Sequence, residues 1–483
     1  MSHDRATCHG TMDTGIERTA PKDPFNNPMN PITSTKLPGH RQAGSPVGAF
    51  LLASVLSAGL AAAEPVDFFA DNGFGKPVST MQHPCAEFYQ GVTYIAYQGP
   101  HEDPYVCAYH HATRKWAGPV KAGTSQLGKS TDPTDSDEVD NHGRPALIVD
   151  GTGYIHLIFG GHGGSWLLGN NPLGTPGGGG QIHVVSKHPQ DISSWEVLDN
   201  ITPSGTYSQF VKMSDGDIYL FYRHGSHRSD WVYQKSTDHA RTFAPPVSIL
   251  KSKPQTADPN IHDAWYAWFH EGKGDTIAVT YNHHPCAVVG HKKPRYNGYF
   301  MTLNCADDSW RNVRGVPLTL PITKESADKN TLVYDTGKEG VRTGICRVDA
   351  DGHPHVFYRQ GAGQVRYYRW TGEAWQGPGV ITKEAKSQDA DFFIESPLVI
   401  NMLLTQTVSG KGEVCWWQSI DGGLKWTKES SLRSAENTDY LIGSLVRNAN
   451  PDARIVVSEL RGDQKDLHRK MFLLGDHGPV RRE

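Results

Sequence analysis

A turn followed by an alternating run of β-branched and aromatic residues occurs seven times along this chain: Gly91-VTYIAYQG, Gly153-YIHLIFGGH, Gly216-DIYLFYRHG, Asp275-TIAVTYNHH, Gly352-HPHVFYRQG, Gly412-EVCWWQS and Asp452-ARIVVSE. Alternation with a period of two marks a strand buried between neighbours. The copies lie about 40 to about 78 residues apart, a spacing within reach of propeller blades with loops of unequal length. The expected fold is all-β: a seven-bladed β-propeller of four-stranded antiparallel blades. Composition agrees. With 51 glycines, 31 prolines and 37% hydrophobic residues, the chain is rich in turns, and no long amphipathic helix stands out.

A second pattern trails the first. A polar turn leads to an aromatic residue at Trp116, Trp195, Phe243, Trp310, Trp375 and Trp426. The last, Ser419-IDGGLKW, matches the Asp-box S-x-D-x-G-x-x-W, and Ser236-TDHARTF comes near it. In such a box the Asp ties down its own turn while the aromatic ring packs beneath. The box belongs to sialidase-like propellers and carries no chemistry of its own. A strand near Pro77-VSTM is expected to pair with one near Lys470-MFLL, closing the ring and removing its open edges.

Residues 1–63 stand apart from this repeat. Val47 to Ala63 is a short apolar run with small residues Ala61 and Ala63 before Glu64, which reads as a secretory signal cut after Ala63. An uncleaved membrane anchor is the competing reading. The mature chain, 64–483, is then one catalytic propeller domain, secreted to the periplasm or the medium and monomeric. Seven cysteines are scattered without a CxxC pair; one or two disulfides are compatible with export, and their pairing is not legible. The formal net charge of −4 provides no basic field, so nucleic acid is not the expected partner.

Four reactive side chains fall at strand ends of the second and third blades. His142 lies in Asp140-NHGRP, His162 in Phe159-GGHGG, Tyr207 in Gly205-TYSQF and Arg223 in Phe221-YRHGSH. Each alone is more often a packing or bracing residue. Together they make a plausible acid–base site. The Gly-rich loop at Gly174-TPGGGGQ is not a phosphate cradle, because no helix with Lys-Ser/Thr follows it. Asn141, His262, Tyr266 and Arg359 lie at comparable strand ends or turns and are candidate substrate-binding residues, although Arg359 also reads as a repeat brace.

In order and spacing, His142, His162, Tyr207 and Arg223, with Asn141-HGRP, the GGHGG loop and YRHGSH, resemble the seven-bladed propeller ulvan lyases over roughly residues 65–475. The resemblance implies β-elimination from an anionic polysaccharide at a rhamnose–uronate linkage. Arg223, helped by His162, would neutralise the uronate carboxylate. His142 would take the C5 proton, and Tyr207 would protonate the leaving oxygen or serve as both base and acid. Related propellers act on rhamnose–glucuronate linkages in plant gums, which is a competing branch.

The segment Tyr281-NHHPCAVVGH gathers His283, His284, Cys286 and His291, and His227 follows Arg223. A Cys with three His suits tetrahedral zinc. The resemblance implies a structural zinc in this region, with His227, His283, Cys286 and His291 as ligands and His284 as the substitute. A His-rich turn with a buried Cys is the plainer reading. Two further readings compete for the whole chain. One is a sialidase-like hydrolase, for which the acidic run Asp132 to Asp140 offers a carboxylate. The other is a sugar-binding propeller without turnover.

Overall fold

A computed structural model describes residues 65–127, 139–162, 170–175, 180–288, 294–361, 363–382, 386–461 and 467–483. The leader-like segment and most of the acidic run lie outside the described residues. Seven antiparallel sheets follow one another along the chain. Blade 1 runs from Ala86–Tyr89 to Lys115–Lys121, blade 2 from Ala146–Val149 to Trp195–Leu198, and blade 3 from Thr206–Lys212 to Val247–Leu250. Blade 4 is the largest. Its long strands Ile261–Glu271 and Thr276–Ala287 are joined by short flanking ones into six. Blades 5 and 6 begin at Val341–Val348 and Lys386–Ser396, and blade 7 at Thr438–Leu445. The first strands of successive blades pack against one another and so surround the central axis.

Six of the seven repeat copies are second strands of their blades. The Gly412 copy is the exception. It lies in Lys411–Ser419, the third strand of blade 6, and the second is Val399–Val408. This explains the short interval after it. Ring closure also differs in detail from expectation. The strand that pairs with His468–Gly475 is Ala70–Phe74, not the segment at Pro77. The prolines at 77 and 84 lack a donor for a ladder, and that stretch instead runs without strand structure into blade 1.

Both Asp-boxes form as expected. Asp421 Oδ1 accepts from the amides of Leu424 and Lys425, Ser419 Oγ accepts from Gly423 N, and Trp426 Nε1 donates to the Gly423 carbonyl. In the other box Ala240 replaces the glycine, and its amide still reaches Ser236 Oγ at φ +58°. Near the axis one carboxylate joins four blades. Glu87, fully buried in blade 1, accepts from Val149 N of blade 2 at 2.8 Å. It also pairs with Lys212 of blade 3 at 2.7 Å and with Arg447, in the turn between the first two strands of blade 7, at 2.6 Å. Among the described residues the six cysteines are unpaired, and no helix is long and apolar enough to cross a membrane.

Candidate active site

The four predicted residues converge at one mouth of the central channel, where the first strands begin and the second strands end. His142 precedes the first strand of blade 2, and His162 follows its second strand, Ile155–Gly160. Their rings stack with centroids 3.6 Å apart. Asp140 holds both: Oδ1 meets His142 Nδ1 at 2.5 Å, and Oδ2 meets His162 Nδ1 at 3.1 Å. Gly161 makes room for this. A Cβ on Gly161 would meet the Gly205 carbonyl at 2.0 Å, so only glycine lets blade 2 approach blade 3 here.

Tyr207 opens blade 3 at a register shift between Thr206 and Gln209, with φ +62°. His162 has φ +83°. Two non-glycine residues in left-handed backbone at adjacent blade mouths are strain of the sort that active sites hold. The Tyr207 ring lies edge-on to His142 at 5.6 Å between centroids. Arg223 ends the second strand of blade 3 and is fully buried. Its guanidinium carbon is 4.8 Å from the Tyr207 ring centre and 5.5 Å from that of Tyr266. Nη1 and Nη2 have no hydrogen-bond partner among the described residues. A buried cation left this way calls for an anion from outside.

Electrostatics divide the groups. Burial holds His142 below the ordinary imidazole range, outweighing the hydrogen bond it makes to Asp140. Burial likewise pushes the Tyr207 phenol upward, with Tyr266 acting in the same direction. Tyr266 moves the other way: burial works to raise it, but the Arg295 and Arg223 charges prevail. Arg295 lies directly over the Tyr266 ring, 3.2 Å from its centre. Neutral imidazole and protonated phenol therefore face each other at neutral pH.

The remaining candidates separate. Tyr266 belongs to the site, 5.6 Å from Tyr207 between ring centroids. Arg359, at the blade 5 counterpart of the Arg223 position, is lowered by burial and feels Asp389, Arg342 and Arg295. Asn141 is spent within the protein: its Oδ1 accepts from Lys76 N and Gln98 Nε2. His262 stands across the ladder from Cys286, beside a different cluster. Sequence reasoning did not single out Asp140 as the clamp, Arg144 or Arg295. The NHGRP motif contained the signal for Arg144, which is partly buried beside the site and donates to Gln82.

That second cluster comprises His227, His284 and Cys286, whose ligand atoms all lie within 4.8 Å of one another. The expectation of His283 is corrected. Thr276–Ala287 is an extended strand, so 284 and 286 share a face and 283 takes the other. There His283 Nε2 meets Asp263 at 2.9 Å. His291 lies outside the described residues. A soft sulfur with imidazole nitrogens is a donor set that fits zinc.

A mouth built around an unpaired buried guanidinium, whose neighbouring carboxylate is already committed to two histidines, suits elimination from a uronate better than hydrolysis by paired carboxylates. The protein is in that respect a polysaccharide lyase on a propeller frame. Residues 92–380 match the BNR repeat-containing family. The ulvan lyase of Nonlabens ulvanivorans is 44% identical over 434 residues, covering 86% of this chain and 90% of that protein. The ulvan lyase of Alteromonas sp. (strain LOR) is 43% identical over 434 residues, covering 86% and 88%. A solved PL25 ulvan lyase bound to -[GlcA(1-4)Rha3S]- superposes with a TM-score of 0.81 at 42% identity, covering 87% of this chain and 98% of that one. The polysaccharide lyase Uly1, at 13% identity and a TM-score of 0.55, shares the fold. The chain belongs to the ulvan lyase family.

Proposed function

We propose that this protein is an exported enzyme that cleaves ulvan by β-elimination at rhamnose–uronate linkages, with its chemistry at the mouth formed by blades 2 and 3. The observation that carries this reading is Arg223: fully buried, with two terminal nitrogens unpartnered beside the Tyr207 ring. A uronate carboxylate seated there loses its charge to the guanidinium, and the C5 proton becomes acidic. The His162 ring lies 6.5 Å from that of Tyr207 between centroids.

His142 is the base. Asp140 takes the Nδ1 proton into its hydrogen bond, which leaves the lone pair on Nε2. The C5–H bond breaks toward that nitrogen, and its electron pair forms the C4–C5 double bond. The C4–O bond breaks with its pair on oxygen, which takes the Tyr207 proton. Return of the proton from His142 to Tyr207, through solvent, resets the site. Products are an unsaturated uronate end and a free rhamnose end.

His227, His284 and Cys286 would hold a structural zinc, tying the loop after Arg223 to the end of the blade 4 strand. His227 Nε2 lies 3.5 Å from His162 Nε2, so such a tie would also firm one wall of the site. Residues 1–63 would serve as leader, which agrees with a polymer substrate too large to enter a cell.

The test is incubation of the chain from Glu64 with ulvan and with gum arabic, beside Tyr207→Phe, following the ultraviolet absorbance of unsaturated uronate. A rise with ulvan that vanishes in the variant supports the reading. Reducing ends without absorbance would replace it with hydrolysis.

A further inference from the structure

The opposite end of the central channel holds a second feature. Where the first strands of blades 3 to 7 finish, a cavity of about 520 Å³ opens, away from Tyr207 and the histidine pair. Phe210, Phe269, Phe393 and Ile394 form its apolar walls, and His270 and Arg347 supply polar ones. The size falls within the range of small-ligand sites.

Two of these residues point to the ligand. His270 is 8% exposed, and its ring stacks on that of His83 at 4.4 Å. Both nitrogens of His83 meet backbone carbonyls, of Thr80 and Phe269. His270 Nε2 has no partner among the described residues, although it belongs to a wall of open space. Arg347 is fixed by the buried Asp391, whose Oδ1 accepts from Nη2 at 2.7 Å while Oδ2 accepts from Leu445 N. Nη1 donates to the Cys346 carbonyl, and the side chain as a whole is 22% exposed. A positioned guanidinium recognises a carboxylate, aromatic faces pack a flat apolar ring face, and an unpartnered imidazole nitrogen awaits a hydroxyl.

We propose that this cavity is a second ligand site, separate from the elimination site, for a small acidic sugar of the uronate class. The anion and the apolar-faced ring follow from the cavity walls. The choice of a sugar among such rings rests on the lyase reading above, because cleavage yields uronate-ended fragments. The floor keeps the sites apart: Thr80 presents its carbonyl to His83 and its hydroxyl to Asp389, which faces the Arg359 and Arg144 charges toward the other mouth.

The experiment is calorimetric titration of sodium glucuronate into Arg223→Ala, which lacks the carboxylate seat of the elimination mouth. Glucuronate has a free C4 hydroxyl, so there is no glycosidic leaving group to expel. One site per chain is expected. His270→Phe and Ile394→Trp, each added to Arg223→Ala, should weaken binding by about tenfold or more. Each placed singly in the intact chain should leave ulvan cleavage at the intact chain's rate. Should His270→Phe fail to fold, Ile394→Trp decides alone. No heat with Arg223→Ala, or heat unchanged by the cavity substitutions, overturns the proposal. Equal binding of uncharged methyl rhamnoside overturns the acidic class. Failure of the intact chain to cleave ulvan would remove the lyase reading and leave the titration to be judged separately.

Discussion

His142 and His162 lie face to face with their planes 19° apart, and both give Nδ1 to the same carboxylate. Burial works to raise Asp140, but the hydrogen bonds from the two rings hold it well below the usual carboxylate range. The clamp selects a tautomer for both imidazoles at once. Asp140→Asn keeps the shape and loses the selection. Its kcat on ulvan is expected to fall by about 100-fold or more, with KM changed by less than about threefold. Equal kcat for variant and parent would remove Asp140 from the mechanism.

Tyr207 and Arg223 should fail in different ways. Tyr207→Phe removes the proton donor and leaves the ring packing, so kcat is expected to drop by about 10³-fold while thermal stability stays within roughly 1 kcal/mol. Arg223→Lys retains a charge but not the paired bonds to a carboxylate, and should lower kcat/KM by about 10²-fold. Steady-state kinetics by ultraviolet absorbance, with thermal melts alongside, separate these effects.

Elemental analysis tests the strand-face correction at the metal cluster. With the proposed zinc on His227, His284 and Cys286, His284→Ala and Cys286→Ser should lose metal and melt earlier. His283→Ala, on the other face beside Asp263, should keep the metal. Retention of zinc by His284→Ala together with its loss from His283→Ala would reverse the assignment.

Acid should destabilise the fold before it reaches ordinary carboxylate pKa values. Burial holds His156, His183 and His355 below the free imidazole value of 6.5. As pH falls below 6.5 the unfolded chain therefore binds protons that the folded chain refuses. Stability is full above that value and is lost below it, by up to about 1.4 kcal/mol per pH unit for each such ring. Asp150 and Asp349, both lowered in the fold, add loss in the same direction at lower pH. Urea midpoints at pH 7 and pH 5 should differ clearly, with the lower midpoint at pH 5.

Glu87 offers a stability test remote from the chemistry. Glu87→Gln leaves Lys212 without its buried counter-ion and Arg447 with only the half-exposed Glu271, and should cost about 3 kcal/mol in denaturant unfolding. A loss below about 1 kcal/mol would show that these cations relax to solvent instead.

The seven blades were legible because period-two alternation and the turn before it are local properties, visible at Gly153-YIHLIFGGH as at Gly352-HPHVFYRQG. The Asp-box at Ser419 was legible for the same reason, since its hydrogen bonds stay within a few residues. The four residues now gathered at the mouth could be named from strand ends and the family likeness. Their partners could not. The Asp140 clamp depends on two loops meeting, and Arg295 reaches Tyr266 from the start of a third strand that no repeat marks. The choice between His283 and His284 was decidable in principle by strand alternation, but only once the strand was known to continue through Ala287. Asn141 could be named from its motif, but the partners of its amide, Lys76 N and Gln98 Nε2, could not.

Ala70–Phe74 completes a blade whose other strands begin at residue 438. This strand, the first among the described residues, must therefore wait for the last blade before it has a partner, a contact of very high sequence separation and so a late, slow step. Until then the growing molecule is an open fan with two adhesive margins. Deleting either Ala70–Phe74 or His468–Gly475, the two strands that close the ring, would return it to that condition, with aggregation rather than local fraying as the expected result.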